Sequence, residues 1–131
     1  MAFRMRVSTG SAAPIHRQIR DRVCEAVHAG DLQEGDRLPS VRALAEMLVV
    51  NPNTVARAYA DLTRDGVLEG RQGKGVFVAR RRPVYTKAER LRRIGEPLDA
   101  LVNEALFLGI EPAELRGLLD ERLGRLEEGG R

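Results

Sequence analysis

The sequence predicts a mostly α-helical fold, with three helices and one β-hairpin in its first two thirds and two further helices behind them. Apolar residues recur at helical spacing in five segments, and residues typical of helix ends flank them. Two short β-prone runs surround a glycine-rich loop. Leu, Ile, Val and Phe make up 35 of the 131 residues. This is about 27%, above the roughly 20% below which a charged chain stays disordered.

The composition excludes several classes of protein. A chain of 131 residues has room for one domain, or for one small domain with an appendage, but not for a large multidomain enzyme. The single cysteine, Cys24, allows no internal disulfide, and no run approaches the ~18 apolar residues of a membrane span. We therefore expect a soluble, cytoplasmic protein that has no membrane partner.

Charge is unevenly divided along the chain. Residues 1–82 hold 14 Lys and Arg against 9 Asp and Glu, whereas residues 83–131 hold 8 against 10. The front therefore carries +5 and the rear −2, which sums to the net charge of +3. This asymmetry indicates that the front part contacts a polyanion, although arginine-rich faces that are merely solvated would give the same numbers.

The first helix is expected over residues 14–29. Pro14 suits the first helical position, apolar side chains follow at helical spacing, and Gly30 offers a left-handed stop. Residues 31–38, which include Gly35, are typical of a turn or a very short strand.

The next two helices have the layout of a helix-turn-helix. Ser40 is a good N-cap for a helix of two turns, and Asn51 followed by Pro52 begins a longer helix that ends near Gly66. Helical spacing in the longer helix directs one side inward. That inward side consists of Val55, Ala58, Tyr59 and Leu62.

The exposed start of the longer helix is chemically suited to base edges. It carries Asn51, Asn53, Thr54 and Arg57. Asn can pair a donor and an acceptor with adenine, and Arg can hold guanine through two parallel bonds, each pair discriminating by ~1–3 kcal/mol. An ordinary N-capped helix with a polar surface would have the same residues.

The segment after this helix predicts a β-hairpin. Residues 67–70 and 76–79 are β-prone and flank a basic loop, Arg71-Gln72-Gly73-Lys74-Gly75. Directly after a helix-turn-helix, such a hairpin is a wing, whose Arg71 and Lys74 would lie against phosphates or reach into the minor groove. The loop does not suit a nucleotide cradle, because a cradle needs a helix after the loop.

The run from Gly35 to Val78 resembles the winged helix-turn-helix of the GntR family of bacterial transcription regulators. The resemblance is carried by Gly35-Asp36-Arg37-Leu38-Pro39-Ser40-Val41-Arg42, Leu44-Ala45, Asn51-Pro52-Asn53-Thr54-Val55, Ala58-Tyr59, Leu62, Asp65-Gly66 and Gly73-Lys74-Gly75-Val76-Phe77-Val78. It implies DNA contacts by Arg42, by the start of the third helix, and by Gly73 and its neighbours at the wing tip. Pro52 departs from branches that have a basic residue there, so their base preference cannot be transferred.

About 50 residues follow the wing, too few for the ligand-binding or aminotransferase-like domains that most GntR branches append. Apolar residues at alternating steps of three and four predict a helix that packs on another helix. Gly95 and Pro97 predict a kink or break near Glu96. Gly109 ends this helix, and Pro112 begins a second one.

Two helices of this size cannot enclose a core alone, so we expect a homodimer built from the tails. Folding back onto the winged domain is the alternative. The expected dimer interface consists of Leu91, Ile94, Leu98, Leu101, Leu108, Leu115, Leu118, Leu119, Leu123 and Leu126. A short two-helix tail also resembles the YtrA-type branch of the family, in which the tail mediates dimerisation.

These observations divide the chain into a winged helix-turn-helix domain over residues 1–80, a basic linker over residues 81–85 and a helical dimerisation tail over residues 86–131. We expect a homodimeric, sequence-specific repressor that binds double-stranded DNA at an inverted-repeat operator. Ser40 and Arg42 would contact the DNA backbone or a base edge. The alternative is a protein-interaction adaptor that uses the winged scaffold without reading DNA.

The sequence predicts no catalytic residues and no cofactor. Cys24 and His28 stand four residues apart on the first helix, with His16 further up, but structural zinc needs four protein ligands. We therefore predict no metal site. A small-molecule effector that changes the spacing of the two winged domains is a hypothesis, motivated by the linker and by the kink expected near Pro97.

Overall fold

A computed structural model of the protein describes residues 5–80 and 84–129. Over these residues the chain forms five helices and one antiparallel hairpin, which confirms the expected fold class. The elements are α1 (Ile15–Ala29), α2 (Val41–Leu48), α3 (Pro52–Arg64), β1 (Leu68–Arg71), β2 (Gly75–Val78), α4 (Lys87–Phe107) and α5 (Pro112–Gly129). Of the expected basic linker, residues 81–83 lie outside the described residues.

Contacts along the chain define two compact units. The first runs to Arg82 and the second spans Pro83–Glu128. In the first unit, α1 begins at Ile15, one residue later than expected, and ends before Gly30, whose φ of 84° is left-handed. None of the helices in the described ranges is long and apolar enough to cross a membrane.

One aliphatic core holds the first unit together, with α3 at its centre. This helix packs against α1, α2 and β1, and all four of its predicted inward side chains are buried. Burial of each large apolar side chain contributes ~1.5–3 kcal/mol, so the core determines which face of α3 points outward. The largest fully buried side chains are Ile19, Val23, Leu44, Val55, Leu62, Leu68 and Val78.

The hairpin gains a third, edge segment from the chain ahead of α2. Arg37 forms an antiparallel bridge with Phe77, and the amide of Leu38 donates a hydrogen bond to the carbonyl of Val76 at 2.9 Å. Of the two alternatives for residues 31–38, the turn is present, because the amide of Asp36 donates to the carbonyl of Gln33 at 2.9 Å, and Arg37 forms only an isolated bridge. The bridge joins the wing to the residues that lead into α2.

The sequence predicted a kink or a break near Glu96, and the structure contradicts the break. α4 runs without interruption across Pro97, with ten residues on either side. At its start the hydroxyl of Thr86 accepts a hydrogen bond from the amide of Glu89 at 3.1 Å. Pro97 is exposed, so water can bind the carbonyl that loses its donor, and the helix on both sides outweighs a proline penalty of about 3 kcal/mol.

The second unit leaves its apolar face exposed. α4 and α5 do not pack along each other, and in the described part of this unit Ala105 is the sole buried apolar residue. Leu115 and Leu126 are half-buried. The other residues of the expected dimer interface are exposed, namely Leu91, Ile94, Leu98, Leu101, Leu108, Leu118, Leu119 and Leu123.

Candidate nucleic-acid interface

The start of α3 is built around Asn51. Its side-chain oxygen accepts a hydrogen bond from the amide of Asn53 at 2.8 Å, as an N-cap should. This bond uses one of the two lone pairs of the oxygen and holds the side chain against its own helix, whereas the NH2 group of Asn51 keeps both of its donors for a base edge. Asn53 and Arg57 are exposed, whereas Thr54 is half-buried.

The outward face of α3 carries two arginines with different surroundings. Arg64, near the end of the helix, pairs with Asp61 at 3.1 Å and with Asp65 at 3.6 Å. Arg57 is exposed, and among the described residues no carboxylate lies within 4.0 Å of its guanidinium. Arg57 is therefore the arginine of this face whose donors are available to a ligand.

The start of α2 is suited to an anion. The hydroxyl of Ser40 accepts a hydrogen bond from the amide of Ala43 at 3.0 Å and can still donate its own proton. The amides of the first helical turn have no partners within the helix, and the helix dipole places partial positive charge there. Arg42 is exposed in this turn and adds a full charge.

Tyr59 joins the middle of α3 to the start of α2. Its hydroxyl donates a hydrogen bond to the carbonyl of Pro39 at 2.8 Å, and Pro39 immediately precedes Ser40. Burial raises the pKa of Tyr59, so the phenol remains a donor at neutral pH. Helical spacing correctly assigned Tyr59 to the core, but the partner of its hydroxyl lies twenty residues away and no local pattern points to it.

The turn between α2 and α3 contains a strained residue. Val49 has a φ of 56°, and it is the non-glycine residue with positive φ in the described ranges. Its amide donates to the carbonyl of Ala45, while its side chain is 89% exposed. A left-handed conformation costs about 1–2 kcal/mol for a residue with a Cβ, and β-branched residues suit it least.

The two wing residues predicted to contact DNA, Arg71 and Lys74, have different surroundings. Arg71 pairs with Glu69 at 3.1 Å, and its guanidinium lies 4.2 Å from the centre of the Phe77 ring. Lys74 is exposed at the tip, where its amide donates to the carbonyl of Arg71 at 2.9 Å. Gly73 has a φ of 74° and completes this turn. The sheet thus restrains Arg71, whereas Lys74 projects from the loop.

The described residues contain no cluster of three or more His, Cys, Asp and Glu side chains that could hold a metal ion. Cys24 is a free thiol on α1. Desolvation raises its pKa, the nearby Arg20 lowers it, and neighbouring carboxylates including Asp21 raise it further. The net direction is upward, so Cys24, although exposed, holds less thiolate at neutral pH than an ordinary cysteine.

Comparison with known proteins identifies the family. The family described as "Bacterial regulatory proteins, gntR family" matches residues 15–78. The "HTH-type transcriptional repressor YtrA" of Bacillus subtilis is 32% identical over 117 residues, which cover 89% of this chain and 90% of that protein. The chain belongs to the GntR family. It is therefore a transcription regulator with a DNA-binding winged helix, and not an enzyme.

Solved structures confirm the winged fold with helices behind it. A protein named as a transcriptional antiterminator, from Listeria monocytogenes EGD-e, has a TM-score of 0.87 and 32% identity, over 95% of this GntR chain and 92% of its own. YtrA from Sulfolobus acidocaldarius has a TM-score of 0.59 and 35% identity, and the match covers 72% of this chain and 96% of that one. The DNA-binding domain of AraR, solved in complex with operator ORX1, has a TM-score of 0.50 and 26% identity, and the match covers 60% of this chain and 93% of that one.

Proposed function

We propose that this GntR regulator represses transcription by binding, as a homodimer, to an inverted-repeat operator in double-stranded DNA. The observation that carries the proposal is the guanidinium of Arg57, which has no carboxylate within 4.0 Å among the described residues and lies with Asn53 on the face of α3 that core packing turns outward. The similarity to AraR bound to an operator supports DNA as the ligand. The similarity to a protein named as a repressor supports repression as the outcome.

α3 would read the bases. Its 13 residues span about 20 Å, and the major groove, about 12 Å wide, admits a helix. Arg57 would hold guanine through two parallel bonds, and Asn53 would pair with adenine. Asn51 would contribute mainly a donor, because its oxygen caps the helix. Thr54, which is half-buried, would contact the edge of the groove.

Three other contacts would bind the backbone and set the register of α3. Ser40 and Arg42 at the start of α2 would hold one phosphate with a hydroxyl, free amides and a charge. Lys74 would hold another from the wing tip, where Gly73 lets the chain approach closely. Arg71 would contribute less than Lys74, because its guanidinium is paired with Glu69 and stacked on Phe77.

The tail would pair two copies of the chain. α4 and α5 expose apolar side chains that the described part of their unit does not cover, and a second copy of the chain exposes the same apolar surface. A twofold axis would then present two α3 helices to half-sites about 34 Å apart, or multiples of that distance. Coupling two weak sites in this way can raise affinity ~10²- to 10⁴-fold.

Substituting two arginines on the outward face of α3 tests whether this helix reads bases. Arg57→Ala should weaken binding to the operator about 5- to 150-fold, because one bidentate pair discriminates by ~1–3 kcal/mol. The matched control is Arg64→Ala, which removes an arginine already paired with Asp61 and should change affinity less than about 2-fold. Fluorescence anisotropy on fragments found by genomic footprinting gives both numbers, and equal effects of the two variants contradict the proposal.

RNA is the sharpest competing ligand, because one protein of similar structure is named as an antiterminator. The wild-type protein should bind an operator duplex in preference to an RNA hairpin of equal length and to a random duplex. Preference for the hairpin, or indifference to every nucleic acid, would reject duplex recognition. Indifference would favour the protein-interaction adaptor.

A deletion and two substitutions in the tail test whether it forms the dimer interface. Removing residues 86–131 should give monomers with much weaker operator binding. Leu101→Glu should do the same in the full chain, since a charge in an apolar interface is costly. The control Asn103→Glu adds the same charge to an exposed position off the apolar side of α4. Light scattering gives the mass, and a dimer that survives the deletion refutes the assignment of the interface.

A further inference from the structure

The wing sheet has an outward face, which we call the outer wing face. The register pairs Glu69 with Phe77 and Arg71 with Gly75, and the bridge pairs Arg37 with Phe77. Paired residues in a sheet project to the same side, and so do residues two apart along a strand. All five residues therefore share one face. The opposite face points into the core and carries Leu38, Leu68, Val76 and Val78.

The side chain of Arg37 lies across the base of the wing loop. A Cβ built on Gly75 would be 3.1 Å from Nε, 3.4 Å from an Nη and 3.6 Å from Cζ of Arg37. The guanidinium group is thus placed directly over the backbone of Gly75, next to Lys74. Gly75 also has a φ of 117°, so both the conformation and the missing side chain permit this approach.

The guanidinium groups of Arg37 and Arg71 differ in their contacts. The charge of Arg71 is balanced by Glu69, and its guanidinium is stacked on Phe77. Arg37 is exposed, and in residues 5–80 and 84–127 no carboxylate lies within 4.0 Å of its guanidinium. The outer wing face therefore presents one neutralised arginine and one that has its five donors and its charge available.

We propose that Arg37 is a further phosphate contact, which binds the DNA backbone between the wing and the start of α2. The inference rests on the proposed function and adds a residue to it. Arg37 is fixed to the wing through its bridge with Phe77, and three residues later the chain reaches Ser40, the cap of α2. Its guanidinium thus lies in the segment that connects two surfaces already assigned to phosphates. A phosphodiester complements an unpaired guanidinium in both charge and geometry.

Arg37→Gln tests this contact, because it removes the charge and keeps a polar side chain of similar length. The bridge to Phe77 is made by the backbone, so the fold should persist, and thermal melting checks that it does. Each phosphate contact contributes about 0.9 to the slope of log affinity against log salt. The slope should therefore fall by about 0.9 per bound protomer. Between 50 and 200 mM salt, the variant should lose about 3.5-fold less affinity per protomer than the wild type.

Two further variants separate charge from structure. Arg37→Lys should restore the slope, because a phosphate also accepts a point charge. Arg64→Gln removes the same charge at the far end of α3, where Asp61 already neutralises it, and should leave the slope unchanged. Arg37→Gln should also weaken operator and random duplexes by the same factor, whereas Arg57→Ala should weaken mainly the operator.

The outcomes distinguish this inference from the proposed function. If Arg37→Gln leaves the slope unchanged while Arg57→Ala weakens the operator, the phosphate contact is refuted and base reading by α3 stands. Weaker binding at an unchanged slope, without rescue by Arg37→Lys, would show a structural role and would also refute the contact. If the wild type shows no salt-dependent binding to duplex DNA, both proposals fail.

Discussion

Tyr59→Phe isolates the hydrogen bond that joins α3 to the residues ahead of α2. The ring is buried and stays in place, so the change removes little more than the hydroxyl that donates to the carbonyl of Pro39 at 2.8 Å. A typical hydrogen bond contributes about 0.5–1.5 kcal/mol, and a buried acceptor left alone costs about 1–3 kcal/mol. Because Pro39 is half-buried and water reaches it in part, we expect a loss of about 1.5 kcal/mol.

Thermal melting of the full chain measures this loss. For a unit of about 80 residues, 1 kcal/mol shifts the melting temperature by about 4–8 °C, so Tyr59→Phe should melt about 6–12 °C lower. Both proteins must be compared at one concentration, because the proposed dimerisation would also raise the melting temperature. The control Thr63→Ala removes an exposed hydroxyl that bonds to the carbonyl of Tyr59 within the same helix, and it should change little.

The pH dependence of folding stability gives a second test of the Tyr59 hydroxyl. Burial raises the folded pKa of Tyr59 above that of the unfolded chain, which is about 10. Its contribution to stability is therefore complete below pH 10 and declines as pH rises above that value, where the unfolded chain releases the proton first. The gap between the wild type and Tyr59→Phe should narrow above pH 10. An equal melting temperature for the two proteins at pH 7 would refute the role of this bond.

Three further outcomes are expected. Asn51→Ala should lower the stability of the first unit by about 1 kcal/mol, seen as a lower melting temperature, because the amide of Asn53 loses its cap; no change would contradict the capping role. Val49→Gly should raise stability by about 0.5–1 kcal/mol by relieving the left-handed strain, whereas Val49→Ala should not, and a lower melting temperature for the glycine variant would contradict the strain. Cys24 should react with iodoacetamide at pH 7–8 more slowly than the cysteine of an unstructured peptide, because its raised pKa leaves less thiolate. Mass spectrometry follows the product, and faster labelling would refute the raised pKa.

The elements of the first unit were predictable because their signals are local. Ser40 and Asn51 cap the two helices they were expected to cap, and Gly30 stops α1 in a left-handed conformation. The inward side of α3 follows from a spacing of 3.6 residues, which applies to any helix with one buried face. Of the kink or break predicted near Glu96, the break is absent because a proline imposes only a local cost, whereas the helix depends on all 21 of its residues.

By itself, the sequence determined the order and approximate bounds of the helices and strands, which face of α3 is apolar, and that the tail cannot bury its own leucines. These are properties of neighbouring residues, so periodicity and end signals contain them. Tertiary structure alone decided that Asn51 uses its oxygen on its own helix, that Glu69 pairs with Arg71, and that the guanidinium of Arg37 lies over Gly75. These last two depend on strand register and on a bridge between distant segments, and side-chain pairing across such distances exists only once the chain has folded.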